Sequence, residues 1–360
     1  MKPTEALQHL GQSLWLDNLT RGLLTGGGLA RYIRELSVTG LTSNPTIFEQ
    51  AIRGGGYDDE IRRRASAGRT GEALFLDLAL EDIRHAADLF HPVHERTCGV
   101  DGWVSLELPP ALAYDARASV DAAADLHARA GRRNVFIKIP GTPEGVEAIE
   151  ESIVAGVPIN VTLLFSREQY LAAAGAYLRG LERRLAAGLD LDVRSVASLF
   201  VSRWDTAVAE RVPAALRDRL GIAIAGRTYR AYRELHESDR WLALANAGAR
   251  AQRLLWASTS TKSATAPDVM YVEALAAPHT VNTLPEKTLA AFADHGKPGA
   301  LLAADGGDAE DVLARFTRAG GDLAALALQL QRDGAAAFGK SWKDLLAGIA
   351  ERSATLDTAR

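Results

Sequence analysis

The sequence lacks several features that would place it in a specialised class of protein. Its 360 residues contain one cysteine, Cys98, which excludes a framework of internal disulfides. No apolar run approaches the roughly 20 residues that a membrane-spanning helix needs. Lys and Arg number 41 against 45 for Asp and Glu, a balance that does not favour binding to nucleic acid or to an anionic membrane. We therefore expect neither partner.

Targeting and metal-binding signals are also missing. The first residues, "MKPTEALQHLGQSLWLDNL", lack a basic segment followed by an apolar one, so we expect no signal peptide and a cytoplasmic location. Three histidines and Cys98 cluster in "HAADLFHPVHERTC", but their spacing fits no common zinc site. We therefore expect no bound metal. We also expect the protein to be a monomer or a homodimer.

Short apolar segments alternate with longer segments of helical periodicity along most of the chain. The helical type includes residues 71–90 and 166–188, where Ser166 is predicted to cap the second helix. Such alternation indicates a parallel sheet covered by helices. Eight repeats favour a closed (β/α)₈ TIM barrel, with an open doubly wound sheet as the alternative. The candidate strands are 14–19, 36–43, 102–108, 134–140, 158–165, 195–202, 253–259 and 279–284.

The sequence shows no Pro-, Gly- or Ser-rich linker long enough to separate two domains. We therefore predict one barrel domain over residues 1–360. Residues 285–350 are predicted to be mostly a helical C-terminal extension.

Polar side chains lie at the carboxyl ends of most predicted strands. In a barrel all these ends point into one mouth, where barrel enzymes carry their active sites. An open sheet would spread the same residues along an edge. They are Asp17, Thr42, Asn44, Glu107, Lys138, Asn160, Thr162, Ser198, Ser258 and Asn282.

Lys138 lies within the apolar strand "NVFIKIP", where a charged amine is costly unless it is paired or loses its proton. A neutral amine there could attack a ketone and form a Schiff base. Alternatively, the lysine head reaches solvent at the strand end. Glu107 and Asp17 could transfer protons for this chemistry, or each could form a structural ion pair. The three residues together favour catalysis.

Six motifs in chain order resemble those of the transaldolase family, and they cover essentially the whole chain. The form of the last two is similar to that of the longer bacterial members. The motifs are "LTSNPTIF" (41–48), "NVFIKIPGTPEGVEAIEES" (134–152), "PINVTLLFSREQY" (158–170), "SVASLFVSRWD" (195–205), "LLWASTSTKS" (254–263) and "HTVNTLPEKTL" (279–289).

This resemblance implies a (β/α)₈ barrel that transfers a dihydroxyacetone unit in the non-oxidative pentose phosphate pathway. The donor would be a ketose phosphate, sedoheptulose 7-phosphate or fructose 6-phosphate. The acceptor would be an aldose phosphate, glyceraldehyde 3-phosphate or erythrose 4-phosphate. The resemblance implies neither a metal nor an organic cofactor, because the lysine imine accepts the electrons.

The resemblance also implies the catalytic residues. Lys138 would be the Schiff-base nucleophile. Glu107 would act through a water that Thr162 helps to hold. Asp17 would take the proton from the C4 hydroxyl of the donor as the C3–C4 bond breaks.

The substrate-binding residues follow from the same motifs. Arg203 matches the phosphate-binding arginine, and its guanidinium suits a phosphate. Lys262, supported by Ser258, is the candidate for a second cation, with an exposed loop lysine as the alternative. The remaining residues expected to contact the substrate are Thr42, Asn44, Asn160, Ser198 and Phe200.

Two other functions remain open from the sequence. One is a related Schiff-base aldolase, or a transaldolase of a specialised pathway with a different acceptor. The other is a barrel that binds a sugar phosphate without catalysis, which would be expected to lose at least one mechanistic residue. Asp17, Glu107, Lys138, Asn160 and Arg203 are all present.

Overall fold

A computed structural model describes residues 1–263 and 265–358 of the protein, and within them eight parallel strands close into a barrel. Each strand pairs with the next in sequence, and the last pairs with the first. The prediction of a (β/α)₈ barrel is confirmed, and the open sheet is excluded. The strands are β1 Gln12–Asp17, β2 Val38–Thr42, β3 Trp103–Glu107, β4 Val135–Pro140, β5 Ile159–Leu164, β6 Ser195–Phe200, β7 Arg253–Ala257 and β8 Thr280–Leu284.

Helices surround the barrel and connect its strands. Two short 3₁₀ turns, Pro110–Leu112 and Ala214–Leu216, accompany them. The helices are α1 Pro3–His9, α2 Arg21–Thr25, α3 Gly28–Glu35, α4 Pro45–Arg53, α5 Asp58–Ser66, α6 Gly71–Arg96, α7 Ala116–Ala130, α8 Pro143–Val154, α9 Arg167–Ala186, α10 Ser202–Val208, α11 Leu220–His236, α12 Asp239–Asn246, α13 Met270–Ala274, α14 Glu286–His295, α15 Ala309–Arg318 and α16 Leu323–Thr358.

The barrel strands are buried almost throughout, which accounts for their continuous apolar character. Large aromatic rings fill the interior near the amino ends of the strands. Trp103 stacks on Phe136 with ring centroids 4.0 Å apart, and the Trp15 ring also stacks on Phe136, with centroids 6.2 Å apart. These rings close the barrel interior beneath the carboxyl ends of the strands.

Side-chain caps begin several of the helices that follow strands. The predicted cap at Ser166 is confirmed, because its hydroxyl accepts a hydrogen bond from the Gln169 amide at 3.2 Å. Asn44 caps α4 in the same way through the Ile47 amide, at 3.3 Å. These caps determine how the chain turns at the barrel mouth.

The segment after β8 contains α14, α15 and α16. Helix α15 packs against α11, whereas α16 contacts α4, α5, α6 and β5 and so crosses the carboxyl side of the barrel. The assignment of residues 1–360 to a single domain remains a prediction. Within the described part of the chain, no helix has the length and apolar character needed to cross a membrane.

We predict that Gly40→Ala destabilises the barrel. A Cβ at Gly40 would lie 2.6 Å from the ring of Trp15, which is fully buried and held by a 3.1 Å hydrogen bond to Asp101. Overpacking of this kind costs about 1–3 kcal/mol. The loss should appear in the free energy of unfolding measured by chemical denaturation.

Gly348→Ala is the matched control, because a Cβ there meets nothing within 4 Å on α16. It should stabilise the protein by about 0.5–1 kcal/mol through helix propensity. Equal effects of the two substitutions would contradict the packing argument.

Candidate active site

Ten of the twelve predicted site residues line one cavity of about 440 Å³ at the carboxyl end of the barrel. This volume lies within the usual range for small-molecule sites. The other two, Glu107 and Asn160, lie directly behind cavity residues and contact them. The ten are Asp17, Thr42, Asn44, Lys138, Thr162, Ser198, Phe200, Arg203, Ser258 and Lys262.

Lys138 and Glu107 form a buried ion pair. The two residues are direct partners in the register of β3 and β4. The Lys138 Nζ lies 2.5 Å from Glu107 Oε2, and each side chain is only 7% exposed. The amine also donates a hydrogen bond to the Ser43 carbonyl oxygen at 3.2 Å. The carboxylate therefore offsets much of the cost of burying this amine.

Burial raises the pKa of the Glu107 carboxyl, and the charge of Lys138 and its hydrogen bond oppose that rise. A carboxyl group with a raised pKa binds a proton more readily than a free carboxyl group, which favours its use as an acid as well as a base. Glu107 is thus suited to exchange a proton with the lysine nitrogen beside it.

Asp17 ends β1 and is held by a chain of hydrogen bonds. Its Oδ1 accepts a bond from the Thr42 hydroxyl at 2.9 Å and lies 3.5 Å from Asn44 Nδ2. The Thr42 hydroxyl is in turn 2.7 Å from that of Thr283. Desolvation raises the pKa of Asp17, while Lys138, Thr42 and Asn44 oppose the rise. The Asp17 carboxyl is therefore held in one orientation in the cavity that Lys138 lines.

Asn160 is enclosed beneath the cavity. Its Nδ2 donates to Ser105 Oγ at 3.0 Å, and its Oδ1 accepts from Ser198 Oγ at 2.7 Å. Of these three residues, only Ser198 lines the cavity. The structure thus places Asn160 behind Ser198, where it orients that hydroxyl through a direct hydrogen bond.

Thr162 lines the mouth at an irregularity in β5. The pairing of β5 with β6 shifts between Val161 and Leu164, and Leu163 has a φ of 57°. Such a bulge redirects side chains at a strand end. Thr162 consequently faces the main cavity, whereas Leu163 faces a second, smaller one.

Arg203 and Lys262 bring two exposed cations to the rim. Arg203 lies in the first turn of α10, and Lys262 lies in the loop after β7, where its Nζ donates to Ser260 Oγ at 2.8 Å. The Ser258 hydroxyl is 2.9 Å from that of Ser202, and this contact joins the loop after β7 to the start of α10. The rim can therefore bind a phosphate held above the lysine.

Sequence reasoning missed several residues of the site. Ser43, Ser105 and Thr283 each bond to a predicted residue that lies two strands away around the barrel. The alternation that puts Ser105 on the same face as Glu107 could have identified it. Phe338 comes from α16 and lines the mouth with its ring 5.7 Å from Lys138 Nζ. No motif or spacing indicates Phe338.

A larger cavity of about 620 Å³ lies at the amino ends of the strands. Two of its arginines are already engaged, Arg253 by Asp101 at 3.1 Å and Arg194 by Asp192. The 440 Å³ cavity at the carboxyl ends of the strands is instead the candidate site. It contains the buried Lys138 amine, and it lies at the end of the barrel where barrel enzymes have their active sites. In the described residues, no group of three or more His, Cys, Asp or Glu side chains is arranged to hold a metal ion.

A family model and individual relatives both match this chain over nearly its whole length. Residues 14–349 match the family described as transaldolase/fructose-6-phosphate aldolase. The chain is 46% identical to a transaldolase of Thiobacillus denitrificans over 358 residues, covering 97% of this chain and all of that protein. It is 44% identical to a transaldolase of Parafrankia sp., covering 98% of each chain. A transaldolase of Saccharopolyspora erythraea is 43% identical, covering 99% of this chain and 98% of the relative.

We predict that Lys138→Met makes stability fall as pH rises. Without the lysine charge, the pKa values of the buried Glu107 and Asp17 carboxyls rise further above their unfolded values. A raised carboxyl pKa stabilises the folded state at low pH, and this contribution is lost as pH increases through the folded pKa. Breaking one side of a buried pair costs about 3–5 kcal/mol when the partner is charged.

The measurement is the free energy of unfolding of variant and wild type near pH 5 and near pH 8. The double variant Glu107→Gln/Lys138→Met is the control, because it removes both charges of the pair. Its deficit should be smaller and should depend less on pH. An equal deficit of Lys138→Met at both pH values would contradict the buried-pair interpretation.

Proposed function

The chain belongs to the transaldolase/fructose-6-phosphate aldolase family, and we propose that it transfers a dihydroxyacetone unit between sugar phosphates through a Schiff base on Lys138. It is an enzyme of the transferase class, and its activity is that of a transaldolase. The observation that carries the proposed mechanism is the buried amine 2.5 Å from the Glu107 carboxylate, in a barrel mouth that also contains Asp17.

Imine formation uses the pair. The Lys138 amine attacks the C2 carbonyl carbon of the ketose phosphate and forms a C–N bond. Glu107 first takes a proton from the Lys138 ammonium and gives it to the new oxygen, and then it takes a second proton from the nitrogen and gives it to the carbinolamine hydroxyl, which leaves as water and leaves a protonated imine. Thr162, which lines the same mouth, holds the water for this step and for its reverse.

Carbon–carbon cleavage uses Asp17. Its carboxylate takes the proton from the C4 hydroxyl, the C3–C4 bond breaks, and the electron pair moves into the iminium to give an enamine. The shortened aldose phosphate leaves. In the transfer step, C3 of the enamine attacks the aldehyde carbon of the acceptor, and Asp17 gives its proton to the new C4 oxygen. Thr42 and Asn44 orient this base throughout.

The remaining predicted residues have binding roles in this proposal. Ser198, oriented by Asn160, contacts the dihydroxyacetone unit, and Phe200 packs beside it. Arg203 and Lys262 bind the phosphate at the rim, and Ser258 supports them through its contact with Ser202 at the start of α10. The donors are sedoheptulose 7-phosphate and fructose 6-phosphate, and the acceptors are glyceraldehyde 3-phosphate and erythrose 4-phosphate. A monomer or homodimer remains a prediction.

We expect borohydride to trap the intermediate on Lys138. After incubation with fructose 6-phosphate and reduction, mass spectrometry should find a reduced dihydroxyacetone unit on that residue. Asp17→Asn should still form the imine but not cleave it, so its adduct should carry the whole hexose phosphate.

Lys138→Ala is the control for the site of attachment and should give no adduct at residue 138. An adduct on Lys262 instead, or none on folded wild-type protein with either ketose phosphate, would overturn the proposed function.

We also predict that Thr42→Val moves the acid limb of the kcat–pH profile to higher pH. The Thr42 hydroxyl donates to Asp17 and lowers its pKa, so its removal raises that pKa. Asp17 must be ionised to act as a base, and a raised pKa means that it is protonated at a higher pH. The profile should be measured between about pH 5 and pH 8.

Thr283→Val is the matched control. It removes the hydroxyl that bonds to Thr42 but leaves the Thr42–Asp17 bond in place. An acid limb that stays in place or moves to lower pH in Thr42→Val would exclude Asp17 as the base.

A further inference from the structure

A second cavity lies beside Glu107, behind the catalytic mouth. Its volume is about 20 Å³, which is enough for one water molecule. Glu107 and Ser119 supply polar groups to its otherwise apolar wall. Phe338 lines both this cavity and the mouth, so its ring forms part of the wall between them.

Helix α16 is anchored on both sides of Phe338. On one side, Gln331 Nε2 donates to the carbonyl oxygens of Gly141, at 2.8 Å, and Leu163, at 3.0 Å, at the ends of β4 and β5. On the other side, the Ser341 hydroxyl is 2.9 Å from that of Thr46 on α4. The position of the ring is therefore determined by contacts with three elements of the barrel mouth.

Close packing keeps this part of α16 near β5. A Cβ at Gly334, one helical turn before Phe338, would lie 2.8 Å from Leu163 Cδ2. The absence of a side chain there lets the helix approach the strand end. The approach brings the half-buried Phe338 ring to 5.7 Å from Lys138 Nζ, within the range of a cation–π contact.

The enamine left on Lys138 after cleavage can follow two routes. In transfer, its C3 attacks the acceptor aldehyde. In hydrolysis, C3 is protonated, water adds to C2 and loses a proton, and the C2–N bond breaks as the lysine nitrogen takes up a proton. Hydrolysis releases free dihydroxyacetone. The outcome depends on how readily water reaches C2 before the acceptor arrives.

We propose that Phe338 is a positioning residue that covers the Lys138 imine on the side of Glu107, restricts the approach of water from that side, and thereby favours transfer over release. The proposal rests on the Schiff-base function assigned above. The ring forms part of the wall between the one-water cavity and the mouth and lies 5.7 Å from Lys138 Nζ, so it covers one side of the nitrogen when the aldose leaves.

The test is the ratio of free dihydroxyacetone to transferred product. Wild type and the series Phe338→Leu, Phe338→Val and Phe338→Ala are given fructose 6-phosphate with and without erythrose 4-phosphate. The ratio should increase as the side chain shrinks, by about tenfold or more for alanine. Phe338→Leu, whose side chain fills most of the volume of the phenylalanine ring, should have a ratio close to that of the wild type.

Leu346→Ala is the matched control, because Leu346 is a partly buried apolar residue of α16 outside both cavities. It should leave the ratio unchanged. If Phe338→Ala does not fold, the leucine and valine variants still test the dependence on size. A ratio that does not follow side-chain size would overturn the proposal.

Borohydride trapping on each variant separates the two possible failures. An adduct on Lys138 with an unchanged ratio would reject the role of Phe338 and leave the Schiff-base function in place. A folded wild-type protein without an adduct would reject the function itself.

Discussion

The site depends on the pairing of one buried amine with one buried carboxylate. Neither Lys138 nor Glu107 is well tolerated in a barrel interior by itself, since an unpaired buried charge is strongly destabilising. The register of β3 and β4 makes them direct partners and brings Nζ to 2.5 Å from Oε2. The same register places Asn160 opposite Lys138 on the next strand. The arrangement is therefore held by backbone hydrogen bonds between strands, not by mobile loops.

In the proposed mechanism, two carboxyl groups with raised pKa values transfer protons in the reaction at Lys138, each from a separate position. Glu107 lies against the nitrogen, whereas Asp17 is held two strands away from β3 by Thr42 and Asn44. One can exchange protons at nitrogen while the other takes a proton from the substrate hydroxyl. Lys138 opposes the rise of both pKa values. Conversion of the ammonium to a neutral enamine would therefore favour protonation of both, which assists the return of protons in the second half of the reaction.

The sequence predicted the barrel because strand–helix alternation and strand burial are local properties of the chain. It also predicted most residues of the mouth. Once a strand is located in the sequence, the residues at its carboxyl end are known, and in a barrel these residues line the mouth. It did not identify Ser105 and Thr283, whose hydrogen bonds depend on the register between strands. The expected contact of Asn160 with the substrate stays a prediction, and the structure adds that its amide bonds to Ser105 and Ser198. Trp204 follows Arg203 in sequence, and a bulky side chain there could have restricted the phosphate site. It is instead buried, donates to the Phe165 carbonyl oxygen, and does not line the mouth.

Phe338 was not predictable for a different reason. The path of α16 is set by distant contacts, including those of Gln331 with two strand ends and of Trp342 with Glu72 on α6. A helical pattern gives the buried face of a helix but not the surface that it covers. Transfer and aldol release require the same amine and the same two carboxylates, so the groups that make and break bonds do not distinguish them. The difference lies in water access to the imine, which a residue far away in sequence can control without taking part in any bond.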